Sequence, residues 1–393
     1  MTLYLSSSQR NSNIISLVCG IIFASFSFVY LYLFQGELLK SLYSTLSNSE
    51  NTYSPFWGAV IITLILLILQ WSINLFTKFR DCWLATSYFP SYLFLAFITC
   101  VHRAEDDLFA FSLHLTHHWW LFLVALLIYG LIVWLYRKEF KLFASPKSLS
   151  AQLIPNLVTL ILYSYMTGSI GNSHIVFHHE LQVAKCIRQG EYEEALEVGK
   201  KSLQNSQTLS ALRAYSLSHI DSLGQCLFRY PQNYASKGLF MDEEKGIVST
   251  LTNEQIEQYL GGILRKKDES IIDYLQTLSS TDSLSHTKVQ AYYLCALLLE
   301  KDLETFHQTL LREYPTDDFT LPLHYQEAVC LYQQITGKES PLATHCSQWI
   351  QARYQAFIEL QQTHPDLIPQ RNYTRRKFGD TYWWYYVYGE IEK

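Results

Sequence analysis

Long apolar stretches alternate with short polar loops over the first part of this 393-residue chain. Five stretches contain no charged residue and are long enough to cross the roughly 30 Å of bilayer hydrocarbon as helices: residues 14–34, 55–76, 82–101, 119–136 and 153–170. A helix packed on a soluble core would show a polar face, and these show almost none. The pattern predicts about five transmembrane helices, the third of which is interrupted by Pro90.

From residue 172 onward, apolar positions recur at helical spacing. Leu303, Phe306, Leu310 and Tyr314 share one face of a helix that Pro315 ends. Helices are predicted near residues 174–188, 191–203, 303–314, 321–336, 342–362 and 375–391. The segment VQAYYLCALLLE is apolar on nearly all sides, which is typical of a helix enclosed by its neighbours.

The segment AKCIRQGEYEEALEVGKKSL resembles half of a tetratricopeptide repeat. Gly190 stands at its turn, and Ala195 stands where two helices touch closely. Helix pairs with a period of about 34 residues stack because no pair buries its apolar stripe alone. The predicted fold class is all-α: a bundle of about five transmembrane helices followed by an α-helical, tetratricopeptide-like repeat domain of irregular period.

Charge divides the chain where the apolar pattern changes. Residues 1–171 hold only nine of the 30 Lys and Arg and seven of the 35 Asp and Glu, so residues 172–393 carry a net charge of −7. We therefore predict a transmembrane domain over residues 1–171 and an extramembrane domain over residues 172–393. The acidic balance of the second domain argues against nucleic acid as a partner, because binding it requires a basic surface.

Basic residues in short loops predict the orientation of the bundle. The loops after the second and fourth apolar stretches are the most basic, with Lys78, Arg80, Arg137, Lys138, Lys141 and Lys147. Loops of this kind stay in the cytoplasm. The N-terminus is then cytoplasmic, and five spans place the second domain outside.

The eight cysteines include no CxxC pair, and five of them lie in the second domain. We interpret them as buried free thiols, since Cys packs well as a small hydrophobic residue, and we expect no disulfide scaffold.

Histidines and carboxylates gather near the predicted outer face of the bundle: His102, Glu105, Asp106, Asp107, His114, His117, His118, His174, His178, His179 and Glu180. His114 and His118 share a helix face, as do His174 and His178, because residues i and i+4 align. Two such pairs with a carboxylate could bind zinc or a similar metal. The alternative is that histidine simply suits a membrane interface, with its apolar body and polar tip. We assign no metal and no cofactor to the chain.

Aromatic residues near the C-terminus form the second candidate site. On a helix, Tyr382 lies on one face with Trp383 beside it, whereas Trp384 and Tyr388 share the other face. The outermost helix of a stack needs only one apolar face, so the second face is expected to contact a partner. The candidate interaction residues are Tyr382, Trp383, Trp384, Tyr388, His174 and His178. A third motif, His324 to Glu327, is interpreted as a helix start with a solvated face.

Four segments of the second domain resemble an uncharacterised family of Bacteroidota-type multi-pass membrane proteins: residues 178–196, 227–232, 321–337 and 378–390. The resemblance implies a Gram-negative inner membrane and a periplasmic second domain. It implies no activity and supplies no catalytic residues.

The sequence thus predicts an integral membrane protein that presents a helical-repeat domain to the periplasm, where it binds a protein or an envelope component. The alternative is a membrane-embedded enzyme with a site at the outer face, metal-dependent or acting on a lipid-linked or glycan substrate. No phosphate loop, dinucleotide fingerprint, GxSxG or HExxH motif is present, which favours the first interpretation and leaves activity open. The five apolar stretches contain no charged residue, which argues against a transporter, because transport pathways usually need one.

Overall fold

The computed structural model describes residues 7–47, 53–100, 120–138, 148–172, 174–242, 251–266, 269–280, 286–314, 320–337, 341–342 and 346–389. All regular structure within these ranges is helical, which confirms the all-α prediction. The chain separates into two compact units, Met1–His178 and His179–Lys393. The division lies slightly beyond residue 171, where charge content changes.

The first unit begins with α1 (Ser7–Val29) and a π-helical turn (Tyr30–Phe34), followed by α2 (Gly36–Ser47), α3 (Pro55–Thr77), a 3-10 helix (Asp81–Tyr88), α4 (Phe89–Thr99), α5 (Trp120–Lys138) and α6 (Leu149–Ile170). Five stretches are long and apolar enough to cross a membrane: Arg10–Phe34, Pro55–Thr77, Asp81–Thr99, Trp120–Lys138 and Leu149–Ile170. They coincide with the five predicted spans; residues 101 and 119, at two of the predicted ends, lie outside the described ranges.

The third span, which Pro90 interrupts, lies at the centre of the bundle. It packs against α1, α3, α5 and α6. Its eight 3-10 residues and eleven α-helical residues, at about 2.0 and 1.5 Å each, reach about 32 Å, which is enough to cross the hydrocarbon. Pro90 lies in the first turn of α4, where the fixed φ of proline suits a helix.

Asn156 of α6 fixes the 3-10 helix of the third span. Its fully buried side chain accepts a hydrogen bond from the backbone N–H of Ala85 (2.7 Å) and donates one to the carbonyl of Asp81 (2.7 Å). Outward-facing side chains are instead apolar, as Leu127 (74% exposed) and Ile161 (67% exposed) illustrate. Backbone groups within lipid must find partners inside the protein, and the side chain of Asn156 supplies them where the helix is irregular.

The helices of the second unit are α7 (Ile175–Gln189), which begins before the division, α8 (Tyr192–Glu197), α9 (Gln207–His219), α10 (Leu223–Cys226), α11 (Asn253–Leu260), α12 (Ile271–Ser279), α13 (His286–Leu299), α14 (Leu303–Glu313), α15 (Leu323–Thr336), α16 (Gln348–Thr363), α17 (Leu367–Phe378) and α18 (Tyr382–Tyr388). Short 3-10 helices (Leu227–Arg229 and Ala235–Leu239) follow α10. From α12 to α18, consecutive helices pack on one another.

Helix α13 forms the core of the second unit. Its residues from Val289 to Leu299 are buried except for half-buried Ala291, and the helix packs on α10, α11, α12 and α14. The sequence prediction of an enclosed helix is thus confirmed. A prediction that is wrong is the single helix over 375–391, because the chain turns at Gly379 and forms α17 and α18 instead.

Two of the cysteines are not free thiols. Cys330 on α15 forms a disulfide with Cys346, sixteen residues later, with the two Cα atoms 5.7 Å apart. The remaining six are free. The sequence interpretation failed here because Cys346 lies just before α16, in a segment that was predicted to be helical and is not.

Candidate functional site

A basic cleft in the second unit is the candidate functional site. Its volume is about 580 Å³. Three stretches of chain supply its walls: residues 200–203, residues 228–233, and residues 371–389 of α17 and α18. We call it the basic cleft because its lining includes Lys200, Lys201, Arg229, Arg371, Arg375 and Arg376.

The C-terminal end of α8 positions Lys200 and Lys201. Helix α8 stops at Glu197, and the chain turns through Gly199 in the left-handed region (φ +59°). A Cβ atom at Gly199 would lie 2.5 Å from the ring of His179, so both the conformation and the space require glycine. Lys200 follows in the turn, where its Nζ pairs with Glu197 at 2.5 Å.

Hydrogen bonds hold the second wall in place. The Tyr230 hydroxyl donates to the carbonyl of Leu196 (2.9 Å), and the side-chain amide of Asn205 donates to the carbonyl of Pro231 (2.5 Å). Gln232 also donates from Nε2 to the carbonyl of Leu227 (3.0 Å). Arg229 is exposed on this fixed loop and lines the cleft.

The third wall depends on the turn between α17 and α18. Thr381 caps α18 by accepting a hydrogen bond from the N–H of Trp384 (3.3 Å). The indole N–H of Trp384 donates to the hydroxyl of Thr374 on α17 (3.2 Å). The guanidinium of Arg375 lies 5.2 Å from the centre of the same indole ring. The two helices are therefore bound to each other across the base of the cleft.

Electrostatics make the cleft a site for an anion. None of the described residues that line it is acidic, although the unit as a whole is. Burial lowers the pKa of Arg375, and the neighbouring charge of Arg371 lowers it further. An anion placed between these cations would offset the free-energy cost of their desolvation and reduce their mutual repulsion.

A buried cation, Arg213, supports the wall from behind. It is 1% exposed and lies 4.7 Å from the ring centre of Tyr230, which lines the cleft. Its Nη2 donates to the carbonyls of Val198 and Gly199 at 3.2 Å each. Burial lowers the pKa of Arg213 to about 10, so it remains charged near pH 7 and adds to the positive potential.

The structure separates the four aromatic candidates. Trp384 and Tyr388 line the cleft, whereas Tyr382 and Trp383 are fully buried and do not line it. Even Trp384 and Tyr388 are only 7% and 6% exposed, so neither forms the open aromatic face that the sequence suggested. The Tyr388 hydroxyl donates to Oε1 of Gln370 (2.7 Å), which fixes its ring against α17.

The histidine candidates lie in the first unit. The Nδ1 of His174 accepts from the N–H of Phe177 (3.4 Å) at the start of α7, and the Nε2 of His178 lies 2.9 Å from the carbonyl of Asn172. Among the described residues, no three His, Cys, Asp or Glu side chains form a group that could hold a metal. Of the other members of the predicted cluster, His179 and Glu180 lie in the second unit, where Glu180 accepts a hydrogen bond from the Ser206 hydroxyl. The remaining members, His102, Glu105, Asp106, Asp107, His114, His117 and His118, lie outside the described residues.

Sequence reasoning missed the cations of the cleft. The run RNYTRRKF, which ends α17, is the most basic part of an otherwise acidic domain, and it was the available signal. Lys200, Lys201 and Arg229 gave no comparable signal, because their proximity to α17 depends on the tertiary fold.

The model of a family of unknown function (DUF6057) matches residues 267–389. The match covers 123 of the 393 residues and includes α17 and α18, but not the cleft walls at residues 200–203 and 228–233. No curated protein and no solved structure matches the chain.

Proposed function

We propose that this membrane protein binds an anionic ligand in the basic cleft of its second unit. The observation that carries the proposal is the lining itself: six cationic residues and no described acidic residue around one cleft of about 580 Å³. Guanidinium groups present fixed pairs of donors that match phosphate or carboxylate oxygens. The ligand class is therefore a phosphate-bearing or carboxylate-bearing component of the cell envelope.

The aromatic wall adds to the proposed recognition. Trp384 and Tyr388 contribute apolar surface to the cleft, and Arg375 covers the indole. An arginine held over an aromatic ring keeps the donors of its guanidinium plane available for an anion and loses little conformational freedom on binding. We propose that Trp384 both positions Arg375 and contacts the ligand.

The helical-repeat interpretation is part of the same proposal. The successive packing of α12 through α18 supports a stacked helical domain, and the turn at Gly190 (φ +75°) joins α7 to α8 as in a helix pair. A stack of this kind is a suitable scaffold for a cleft between non-adjacent helices.

We further propose that the second unit lies on the periplasmic side of a bacterial inner membrane. The basic loops after the second and fourth spans support this orientation. The Cys330–Cys346 disulfide supports it independently, because disulfides persist in the periplasm and are rare in the cytosol.

The test uses the full chain in nonionic detergent, titrated with inorganic pyrophosphate by isothermal calorimetry. Saturable binding that weakens with added salt is expected, and the double variant Arg229→Gln with Arg376→Gln should reduce affinity at least tenfold. Both side chains are exposed, so the fold should survive their loss. Lys377→Gln removes an exposed charge from the same helix, outside the cleft lining, and is the matched control.

An equal loss in Lys377→Gln would show that pyrophosphate responds to net charge rather than to the cleft. Absence of saturable binding in the unsubstituted chain would also contradict the proposal.

A further inference from the structure

Exposed apolar side chains continue the basic cleft along α17. Ile368, Arg371 and Arg375 lie at i, i+3 and i+7, and therefore on one face of this helix. Ile368 is 75% exposed, and its neighbour Leu367 is 68% exposed. At 1.5 Å per residue, Ile368 lies about 10 Å along the helix from Arg375.

A further apolar residue lies in the cleft itself. Leu203 lines it and is 63% exposed, although it lies only two residues after Lys201. Together with Leu367 and Ile368, Leu203 offers aliphatic surface to a ligand whose anionic group lies among the cations. The cleft thus combines a strongly cationic centre with exposed aliphatic surface within it and beyond one end of it.

We propose that the ligand is a phosphorylated lipid, with its phosphate among the arginines and its hydrocarbon against Leu203, Leu367 and Ile368. This inference rests on the proposed anion-binding function and specifies the ligand. Phosphate is favoured over a single carboxylate because a phosphate monoester carries nearly two negative charges near pH 7, which better matches several convergent cations.

A lipid is a reasonable ligand class for a chain that also carries membrane-spanning helices. Five stretches of the same chain are long and apolar enough to cross a bilayer. A domain linked covalently to a bilayer meets lipids at a high effective concentration, so modest affinity is enough for occupancy. A freely diffusing phosphate compound has no such advantage.

The inference is tested with the full chain in nonionic detergent and two probes with the same head group. One is dihexanoyl phosphatidic acid below its micelle-forming concentration, and the other is glycerol 3-phosphate, which lacks the chains. Apparent dissociation constants are measured by native mass spectrometry. The lipid is expected to bind at least tenfold more tightly than the head group alone.

Two sets of variants separate the contributions. Leu367→Ser with Ile368→Ser should weaken the lipid about tenfold, towards the head-group value, and leave glycerol 3-phosphate unchanged. Both side chains are mostly exposed, so their loss should not affect folding, which circular dichroism would verify. Arg229→Gln with Arg376→Gln should weaken both probes, and Lys377→Gln should weaken neither.

Equal affinity for the two probes, or an unaltered lipid affinity in Leu367→Ser with Ile368→Ser, would overturn the lipid inference and leave the anion-binding proposal standing. If neither probe binds the unsubstituted chain, the lipid inference fails, and the pyrophosphate titration decides the anion-binding proposal separately.

Discussion

His324 donates a hydrogen bond from Nδ1 to Oε2 of Glu327 over 2.9 Å, and neither side chain has any exposed surface. The proton is assigned to Nδ1 because the other ring nitrogen accepts from the backbone N–H of Phe228 (3.3 Å). The same carboxylate oxygen accepts from the N–H of Tyr382 (2.8 Å). This pair connects α15 to the 3-10 helix at Phe228 and to the start of α18, two elements that line the basic cleft.

Glu327→Ala should destabilise the second unit by about 3 kcal/mol, because it leaves two buried N–H donors without an acceptor, at about 1–3 kcal/mol each. Denaturant unfolding of the purified chain, followed by near-ultraviolet circular dichroism, measures the change. Glu359→Ala, at an exposed position on α16, is the control and should have almost no effect. A similar loss in both variants would show that the buried network contributes nothing specific.

Trp383→Ala and Trp384→Ala should differ in binding rather than in stability. Both side chains are nearly or fully buried, so each substitution should cost about 3–5 kcal/mol. Only Trp384 contacts Arg375 and lines the cleft, so pyrophosphate affinity of the folded protein should fall in Trp384→Ala alone. Calorimetry at a temperature where both variants remain folded decides this, and equal affinities would remove Trp384 from the site.

Loss of the Cys330–Cys346 bridge should lower the free energy of unfolding by about 3 kcal/mol, as closure of a loop of about sixteen residues predicts. The double variant Cys330→Ala with Cys346→Ala tests this, with Cys226→Ala, a half-buried free thiol, as its control. Alkylation and mass spectrometry should find six reactive thiols in the unfolded chain before reduction and eight after it. Eight before reduction would mean that the bridge does not form in the cell.

A periplasmic reporter fused after Lys393 should be active, since the most basic loops follow the second and fourth spans. The matched control is a fusion after Lys138, in the basic loop that follows the fourth span, which should be inactive. Activity of a cytoplasmic reporter after Lys393 would instead mean either an even number of spans or the opposite orientation of the bundle.

Acidification should destabilise the second unit partly through His219. Burial lowers its pKa below the ordinary 6.5, the neighbouring charge of Lys288 lowers it further, and Asp221 and the hydrogen bond with the Tyr215 carbonyl act in the opposite direction. The unfolded chain therefore takes up the proton first, so stability is present above about pH 6.5 and is lost as the pH falls through the lower, folded-state pKa. His219→Gln should reduce the dependence of the unfolding free energy on pH between pH 7 and 5. The control variant, His364→Gln, should keep that dependence. The same pH dependence of the unfolding free energy in both variants would contradict the role given to His219.

The helix start that the sequence suggested at His324 to Glu327 is confirmed, but its solvated face was wrong, for a reason that the local sequence does not contain. Polar residues at a helix start usually face water, but here the partners are Phe228 and Tyr382, which are distant in sequence. Conversely, the enclosed helix α13 was predictable, because a segment that is apolar on every side has no face to present to water.

Sequence alone determined the properties that depend on a local quantity. Each membrane span follows from the length of an uncharged run, because hydrocarbon requires the backbone to satisfy its hydrogen bonds within the segment. The all-α class of the described residues follows from the periodicity of the apolar positions. Only the tertiary structure decided which face of α18 meets the cleft, which cysteines pair, and that Lys200 and Arg375 line one cavity. These outcomes depend on contacts between distant segments, and helical spacing determines which residues share a face but not what that face packs against.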